Sequence, residues 1–324
     1  MATSTVTGAS TITTSLPKRV VTDLVPRRRR RRRADRQLVA YWFLAPWLIG
    51  ILGITLGPML YSLYVAFTSY DLLTPPKWIG LENFQLLFQD PQFIQSVEVT
   101  LKFTIISVPL VLACSLGLTL LLNTGIRFLS IYRTLFYLPS LLASSAAIAI
   151  LWLTVFGEPG LVSDVMGFFG VHTGDLIGNP ATALYTIVVL NLWAFGATMI
   201  IFLAALRNVP QQYYESAAID GAGRWQRFRR ITLPLITPAL FFNLILGTVM
   251  ASQTFTSAYI IGGATGGPAG SLLFYTVYIY EEGFANFKMG YASAMAWLML
   301  AALGLFTIIC FATARFWVHY GDER

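Results

Sequence analysis

The stretch VTLKFTIISVPLVLACSLGLTLLL, residues 99–122, carries one charged side chain, Lys102, near its start and none after it. A bilayer's hydrocarbon core needs about 20 predominantly apolar residues per helix, and this stretch supplies them. Working outward, five further runs meet the same requirement: 38–68, 134–156, 182–206, 237–262 and 289–314. Backbone polar groups facing lipid must be satisfied within their own segment, so these runs are expected to be helices. A β-barrel would instead show alternating segments of about 10 residues. Pro46, Pro58 and Pro109 fall within the runs and are expected to bend or locally unwind them.

The composition agrees. Of 324 residues, 56% are hydrophobic and 11% charged, and the mean hydropathy is +0.65. Soluble domains carry roughly 25% charged residues, so this chain lacks the charge to cover a water-soluble globule. An ordinary cytosolic enzyme and a largely disordered protein are both excluded. Cys114 and Cys310 lie inside apolar runs, and His172 and His319 stand alone. Neither a disulfide framework nor a metal site is expected from them.

The net charge of +7 is unevenly placed. Residues 1–36 hold ten Lys/Arg against Asp23 and Asp35, a net of +8, and the rest holds 12 against 13, a net of −1. With the amino terminus inside, segments 1–37, 123–133, 207–236 and 315–324 contain 19 of the 22 Lys/Arg. Only Lys77, Lys102 and Lys288 fall on the other side. The positive-inside rule then places both termini in the cytoplasm. The run Arg27 to Arg33 invites comparison with a nucleic-acid arm. Its position just before the first span favours a disordered tail that sets orientation and touches anionic lipid, so no nucleic-acid partner is expected. No cleavage site ends the first apolar run, which is far longer than a signal peptide's.

The apolar cores of the six runs contain no Asp, Glu, Lys, Arg or His. Proton relays and charged-substrate paths depend on such groups, so a proton-driven secondary transporter is disfavoured, as is a membrane enzyme. Sodium coupling through backbone carbonyls would leave no such mark. Uncharged polar groups do occur at Asn191, Asn243, Gln253, Thr254, Thr256 and Ser257. For Asn191, Gln253 and Thr254 two roles stay open, contact with a neutral polyhydroxylated ligand or hydrogen bonding between helices. For Asn243, Thr256 and Ser257 the second is favoured.

Between the fourth and fifth runs lies LRNVPQQYYESAAIDGAGRWQRFRRITLPLITP, residues 206–238. Pro210 is expected to open a short helix, with Tyr213, Ala217 and Tyr214 on one face. Gly221 and Gly223 end it, Gly221 being suited to positive φ. A basic stretch from Arg224 to Ile231 puts Trp225 and Phe228 on one side, and Pro234 and Pro238 steer the chain back toward the membrane. A short exposed helix held between two spans is suited to transmit a push from a cytosolic partner.

Glu215-Ser216-Ala217, Asp220-Gly221-Ala222, Phe228, Ile231, Leu233-Pro234 and Pro238 resemble the EAA loop of binding-protein-dependent ABC importer permeases. Ser216 replaces the family's central alanine, a small-for-small change. YDLLTPPKWIGLENFQLLFQDPQF from residue 70, RTLFYLP at 133–139, GGP at 266–268 and GYASAMAW at 290–297 resemble its carbohydrate-uptake branch, which includes maltose and glycerol-3-phosphate permeases.

The resemblance implies an all-α integral membrane protein with six transmembrane helices in the type I ABC importer permease fold (MetI-like). It assigns 1–37 to a basic tail, 38–318 to the permease domain, 207–236 to the coupling loop and 319–324 to a second tail. It implies a non-catalytic subunit of the plasma or inner membrane, partnered by a homologous permease, two ABC ATPases and an extracytoplasmic solute-binding protein. The chain has no G-x-x-x-x-G-K-[ST] loop, so ATP and Mg²⁺ would sit on the ATPases, and no cofactor on this chain. Coupling falls to Tyr213, Tyr214, Glu215, Ser216, Ala217, Asp220, Gly221 and Ala222, with Asp220 bracing the turn. The sugar-contact region falls at Asn191, Trp193, Ala194, Met250, Gln253 and Thr254. Trp193 could stack on a sugar or serve helix packing. GATGGPAG at 263–270 and the loop 71–97 become docking surfaces for the binding protein or caps over helix ends. The cargo implied is a di- or oligosaccharide, with glycerol-3-phosphate or a related phosphodiester as the alternative; an assembly scaffold would not need the EAA-like loop.

Overall fold

A computed structural model describes residues 42–123, 129–171 and 174–319. The tail 1–37 with its arginine run, His172 and residues 320–324 lie outside them. The chain divides into two units, Met1–Pro58 and Met59–Arg324. In the first, 42–49 is α-helical and Gly50–Leu56 is π-helical. The unwinding expected at Pro46 and Pro58 thus takes the form of widened turns between them.

In the second unit, α1 (Gly57–Ala66), whose first two residues precede the boundary, leads into a two-stranded antiparallel ribbon, β1 (Thr68–Ser69) and β2 (Lys77–Trp78), with Thr68 opposite Trp78. The short α2 (Glu82–Leu87) is followed by α3 (Pro91–Leu122), then α4 (Leu129–Leu142), α5 (Ala146–Phe156) and α6 (Leu161–Phe168). After α7 (Ala183–Trp193) and α8 (Gly196–Arg207) come α9 (Gln211–Ile219), α10 (Arg224–Arg227) and a π-helical stretch, Phe228–Thr232. After a single turn, Leu233–Leu235, come α11 (Thr237–Ser252), α12 (Thr256–Gly262), a 3-10 turn at Pro268–Gly270, α13 (Tyr275–Tyr280), a π-helical stretch, Glu281–Ala285, and α14 (Met289–Trp317).

Five stretches are long and apolar enough to cross a membrane: Trp42–Ala66, Pro91–Leu122, Ala146–Phe168, Thr237–Gly262 and Met289–Trp317. The pair Ala183–Trp193 and Gly196–Arg207, bent by 44°, makes a sixth if counted as one span. The number agrees with the sequence reading, and several boundaries do not. The second span begins at Pro91 rather than Val99, because Asp90 caps the helix by accepting from the Gln92 N–H. Pro109 lies within α3 without ending it. The third, expected as one run over 134–156, is broken. Ser145 takes an extended conformation and its side chain accepts from the Ile148 N–H, starting α5 afresh. The stretch long enough to span therefore runs from Ala146 to Phe168.

α3 is the axis of this unit, packing against α7, α8, α11 and α13. Its buried Phe103 meets Phe274 edge-on at 5.0 Å, and the Thr100 hydroxyl accepts the Tyr275 N–H at 2.9 Å. Among the described residues the main buried cluster joins Phe103 of α3 and Ile187 of α7 to Leu272, Phe274 and Met295, so the core runs from α3 and α7 to the segment before α13 and the start of α14. In lipid, where helices gain nothing by hiding apolar surface from each other, close packing and interhelical hydrogen bonds hold such a core.

Gly196, the first residue of α8, shows how close that packing is. A Cβ there would overlap the Phe136 carbonyl oxygen of α4 and approach the Tyr137 Cα to 2.7 Å. Backbone atoms cannot swing aside as a side-chain tip can. Gly196→Ala is therefore expected to destabilise the protein by about 1–3 kcal/mol; a lower melting temperature in detergent checks it, and an unchanged one would show that α4 and α8 separate freely.

Candidate functional site

Two helical interruptions, one in the bent pair Ala183–Arg207 and one within Thr237–Gly262, fall on residues singled out from sequence; a third, between Phe156 and Leu161, does not. α7 ends at Trp193, with Ala194 and Phe195 forming the break before α8. α11 ends at Ser252, with Gln253, Thr254 and Phe255 before α12. Non-helical backbone at membrane depth is tolerated only where protein or a water-filled cavity receives its polar groups. Here protein receives some of them. The Ser115 hydroxyl of α3 donates to the Phe195 carbonyl at 3.2 Å, and the Thr276 hydroxyl of α13 donates to the Thr254 carbonyl at 2.5 Å.

The side chains at the breaks are less engaged. Asn191 and Gln253 make no side-chain hydrogen bond among the described residues, and Gln253 and Met250 are exposed. Trp193, 36% exposed, lies 6.0 Å from the Trp152 ring of α5. Trp152 in turn donates its indole N–H to the Thr186 carbonyl of α7, while α5 packs on α12. Helix α5 thus contacts an element beside each break. Asn243 is buried and donates to the Ala239 carbonyl of its own helix, not to a neighbouring helix as expected, because that carbonyl lies one turn back along the same face.

The sequence reading missed Trp152 and a run of rings rising from the second break. Phe255 stacks on Tyr259 at 5.4 Å, Tyr259 meets Tyr280 at 5.3 Å, and Tyr280 meets Phe284 at 5.4 Å. Aromatic composition was the available signal; the pairing joins residues of α12 and α13 that sequence spacing does not bring together.

At the other end of α8, Pro210 stands in extended conformation just before α9. After Asp220, the Ala222 N–H bonds the Ala217 carbonyl at 2.8 Å and the Gly221 N–H bonds the Ala218 carbonyl at 3.1 Å, with Gly221 at φ +74°. This is a Schellman motif, which satisfies carbonyls the helix end would leave bare. The Arg227 side chain donates to the Ala222 carbonyl at 2.8 Å, and Trp225 and Phe228 share one side at 5.5 Å. One expected face needs correction. Tyr214 and Ala217 are half-buried, the Tyr214 hydroxyl bonding Thr232 at 2.9 Å, whereas Tyr213 is exposed. Tyr214 can hydrogen-bond the returning chain, and that bond turns it inward. Glu215, Ser216, Asp220 and Ile219 are exposed too, and the Asp220 side chain makes no hydrogen bond among the described residues; the turn is braced by backbone and by Arg227.

Residues 110–320 match the family of binding-protein-dependent transport system inner membrane components. The chain belongs to that family. It is an ABC transporter permease, a non-catalytic membrane subunit. The permease is 47% identical over 289 residues to the probable ABC transporter permease protein YesP of Bacillus subtilis strain 168, covering 89% of this chain and 94% of that one. It is 35% identical to the sn-glycerol-3-phosphate transport system permease protein UgpA of Pectobacterium atrosepticum, covering 75% and 82%. Its fold superposes with a TM-score of 0.76 on a chain of the bacterial alginate ABC transporter crystallised with an alginate pentasaccharide-bound periplasmic protein, at 25% identity and 88% and 96% coverage.

At the end of the permease opposite α9, Asn83 is buried and donates to the Ala66 and Thr68 carbonyls at 2.9 and 3.0 Å. Gln95 donates to the Ala269 carbonyl at 2.8 Å, so loop 71–97 and the 263–270 turn, expected as docking surfaces or caps, are joined to each other. The Asp90 carboxylate accepts from the Gln92 N–H, from the Tyr291 hydroxyl at 2.6 Å and from the Tyr278 hydroxyl. A crevice of about 580 Å³ opens here beside Asp71, Asp90, Glu282 and Lys288. Its polar side chains are largely paired internally, Glu282 with Asn286 at 2.7 Å and Lys288 at 2.8 Å.

Two predictions follow from these bonds. Removing the hydroxyl in Ser115→Ala is expected to lower stability by about 0.6 kcal/mol, the usual worth of a hydrogen bond between membrane helices, measured as a fall in melting temperature. For Asp90, burial pushes the carboxyl upward, but the donated bonds from Tyr278 and Tyr291 outweigh it and hold the group below its ordinary value. A depressed carboxylate contributes stability above its unfolded pKa of about 3.9 and loses it as pH falls through the folded value. Thermal unfolding at decreasing pH should therefore show a steeper decline below about pH 4 for the native permease than for Asp90→Asn; equal slopes would rule Asp90 out as a source.

Proposed function

We propose that this permease forms half of the translocation pathway of an ATP-driven importer for a neutral di- or oligosaccharide. The observation that carries the reading is the coincidence of the breaks after α7 and α11 with Trp193 and Gln253, with Asn191, Ala194, Met250 and Thr254 next to them in the chain. Amides with free hydrogen-bonding capacity beside an accessible indole face suit a sugar, which offers hydroxyls on its rim and C–H groups on its faces. A phosphate ester would call for a cation, and 182–206 and 237–262 contain none. This favours the sugar over the glycerol-3-phosphate that the name of one relative carries.

The orientation proposed puts both termini and α9 in the cytoplasm, since the positive segments share that side. There α9 is the coupling helix. Tyr213, Glu215, Ser216 and Ile219 face out toward a cytosolic ABC ATPase, while Tyr214, Ala217, Gly221 and Ala222 fix its posture against the returning chain and Asp220 caps its end. ATP with Mg²⁺, bound by two such ATPases, closes them and pushes α9, and the permease with its homologous partner rocks to face outward. A solute-binding protein docks at the Asp90 end and delivers sugar; hydrolysis resets the pair.

The two halves are separable experimentally. In the reconstituted complex, Trp193→Ala and Gln253→Ala are expected to cut sugar uptake at least tenfold while basal ATP hydrolysis persists, the size expected when about 1.4 kcal/mol of binding is lost. Glu215→Ala or Gly221→Val is expected to abolish the stimulation of hydrolysis by loaded binding protein. Normal uptake in the first pair removes the cavity assignment, and intact stimulation in the second removes the coupling assignment.

A further inference from the structure

We infer that Arg133 and Arg207 form a phosphate-binding site for an anionic phospholipid headgroup at the α9 end of the bundle. Helices α4 and α8 pack on one another, bringing Arg133, in the second turn of α4, near Arg207, in the last turn of α8. The Arg133 Nε is buried and has no hydrogen-bond partner. Burial, and after it the charge of Arg207, press the Arg133 pKa downward. Neither arginine forms an ion pair with a carboxylate among the described residues. Among the described residues the ion pairs are Lys102–Glu98 and Lys288–Glu282, both toward the Asp90 end. The sequence offers no carboxylate from Val99 to Gly157 or from Leu176 to Tyr214.

A desolvated guanidinium donor without a partner is costly, and a second cation at the same end of the packed helices adds to that cost. An unmet buried donor loses the hydration it had in water, more when charged, and like charges add repulsion. A single anion lying across both removes both penalties. Phosphate suits the place because guanidinium presents a planar fork that matches two phosphate oxygens. A lipid rather than a soluble phosphate is indicated by what surrounds the pair. Ile131, Leu135, Leu138 and Leu142 form an exposed apolar stripe along α4, where acyl chains would lie below a headgroup held at Arg133. Exposed Tyr132 is of the type that aromatic belts at membrane interfaces use. Basic pockets between membrane helices on the cytoplasmic side are suited to such headgroups, and the side assigned here rests on the orientation proposed above.

The test uses the whole importer complex in nanodiscs of phosphatidylcholine containing a minor fraction of phosphatidylglycerol, with bound lipid counted by native mass spectrometry. Native complex should retain phosphatidylglycerol in preference to phosphatidylcholine. Arg133→Gln and Arg207→Gln should each weaken that preference roughly fivefold, the equivalent of about 1 kcal/mol per cation at a membrane surface. Arg315→Gln, a basic residue at the inner end of α14, should leave it unchanged. If Arg133→Gln does not assemble, the exposed Arg207 provides the same reading. Unchanged retention in both variants, or equal loss in Arg315→Gln, overturns the site. Displacement of the lipid by millimolar inorganic phosphate overturns the lipid assignment in favour of a soluble anion. Loss of the second permease subunit from Arg207→Gln, with lipid retention intact, gives the pair to a protein carboxylate and also overturns it.

Discussion

Every backbone N–H and C=O within the hydrocarbon layer must find a partner, and lipid supplies none. That constraint makes each apolar run a helix, and it also makes each interruption of a helix depend on a neighbour. The breaks after Trp193 and Ser252 survive because Ser115 and Thr276 reach the carbonyls of Phe195 and Thr254. One donor comes from α3 and the other from α13, which packs against α3. The central helix therefore does more than fill space. It holds the irregular backbone in place where the polar and aromatic groups of the translocation path are proposed to lie.

A second consequence concerns α9. A helix of nine residues has little stability of its own, and its posture comes from its ends. Pro210 sets the entry, the Schellman turn at Gly221 sets the exit, and Tyr214 ties the middle to Thr232. The exposed side is then held in place, as the coupling role proposed for it requires. Such an element is stiff because both flanking segments are anchored to spans, not because its own residues favour a helix strongly.

The opposite end is held by buried polar bonds, with Asn83, Asp90 and Gln95 each joining segments distant in the chain. These bonds make loop 71–97 part of the bundle's cap, and they leave its exposed faces available to a docking protein.

Sequence alone determined the membrane class, the number of spans and the family, because hydropathy over some twenty residues and the ordered run from Glu215 to Pro238 survive any detail of packing. It also determined the positive φ at Gly221, a local property of a helix end. It could not place the break at Ser145 or extend α3 to Pro91, since both rest on single side-chain caps. It brought Tyr213 onto the inner face with Tyr214, a choice decided by one hydroxyl meeting Thr232. The Trp152–Trp193 contact, the ring run from Phe255 to Phe284 and the packing of α4 on α8 belong to tertiary structure alone. Each joins residues on different helices, and which helices become neighbours is set by close packing such as that of Gly196 on α4, which hydropathy does not encode.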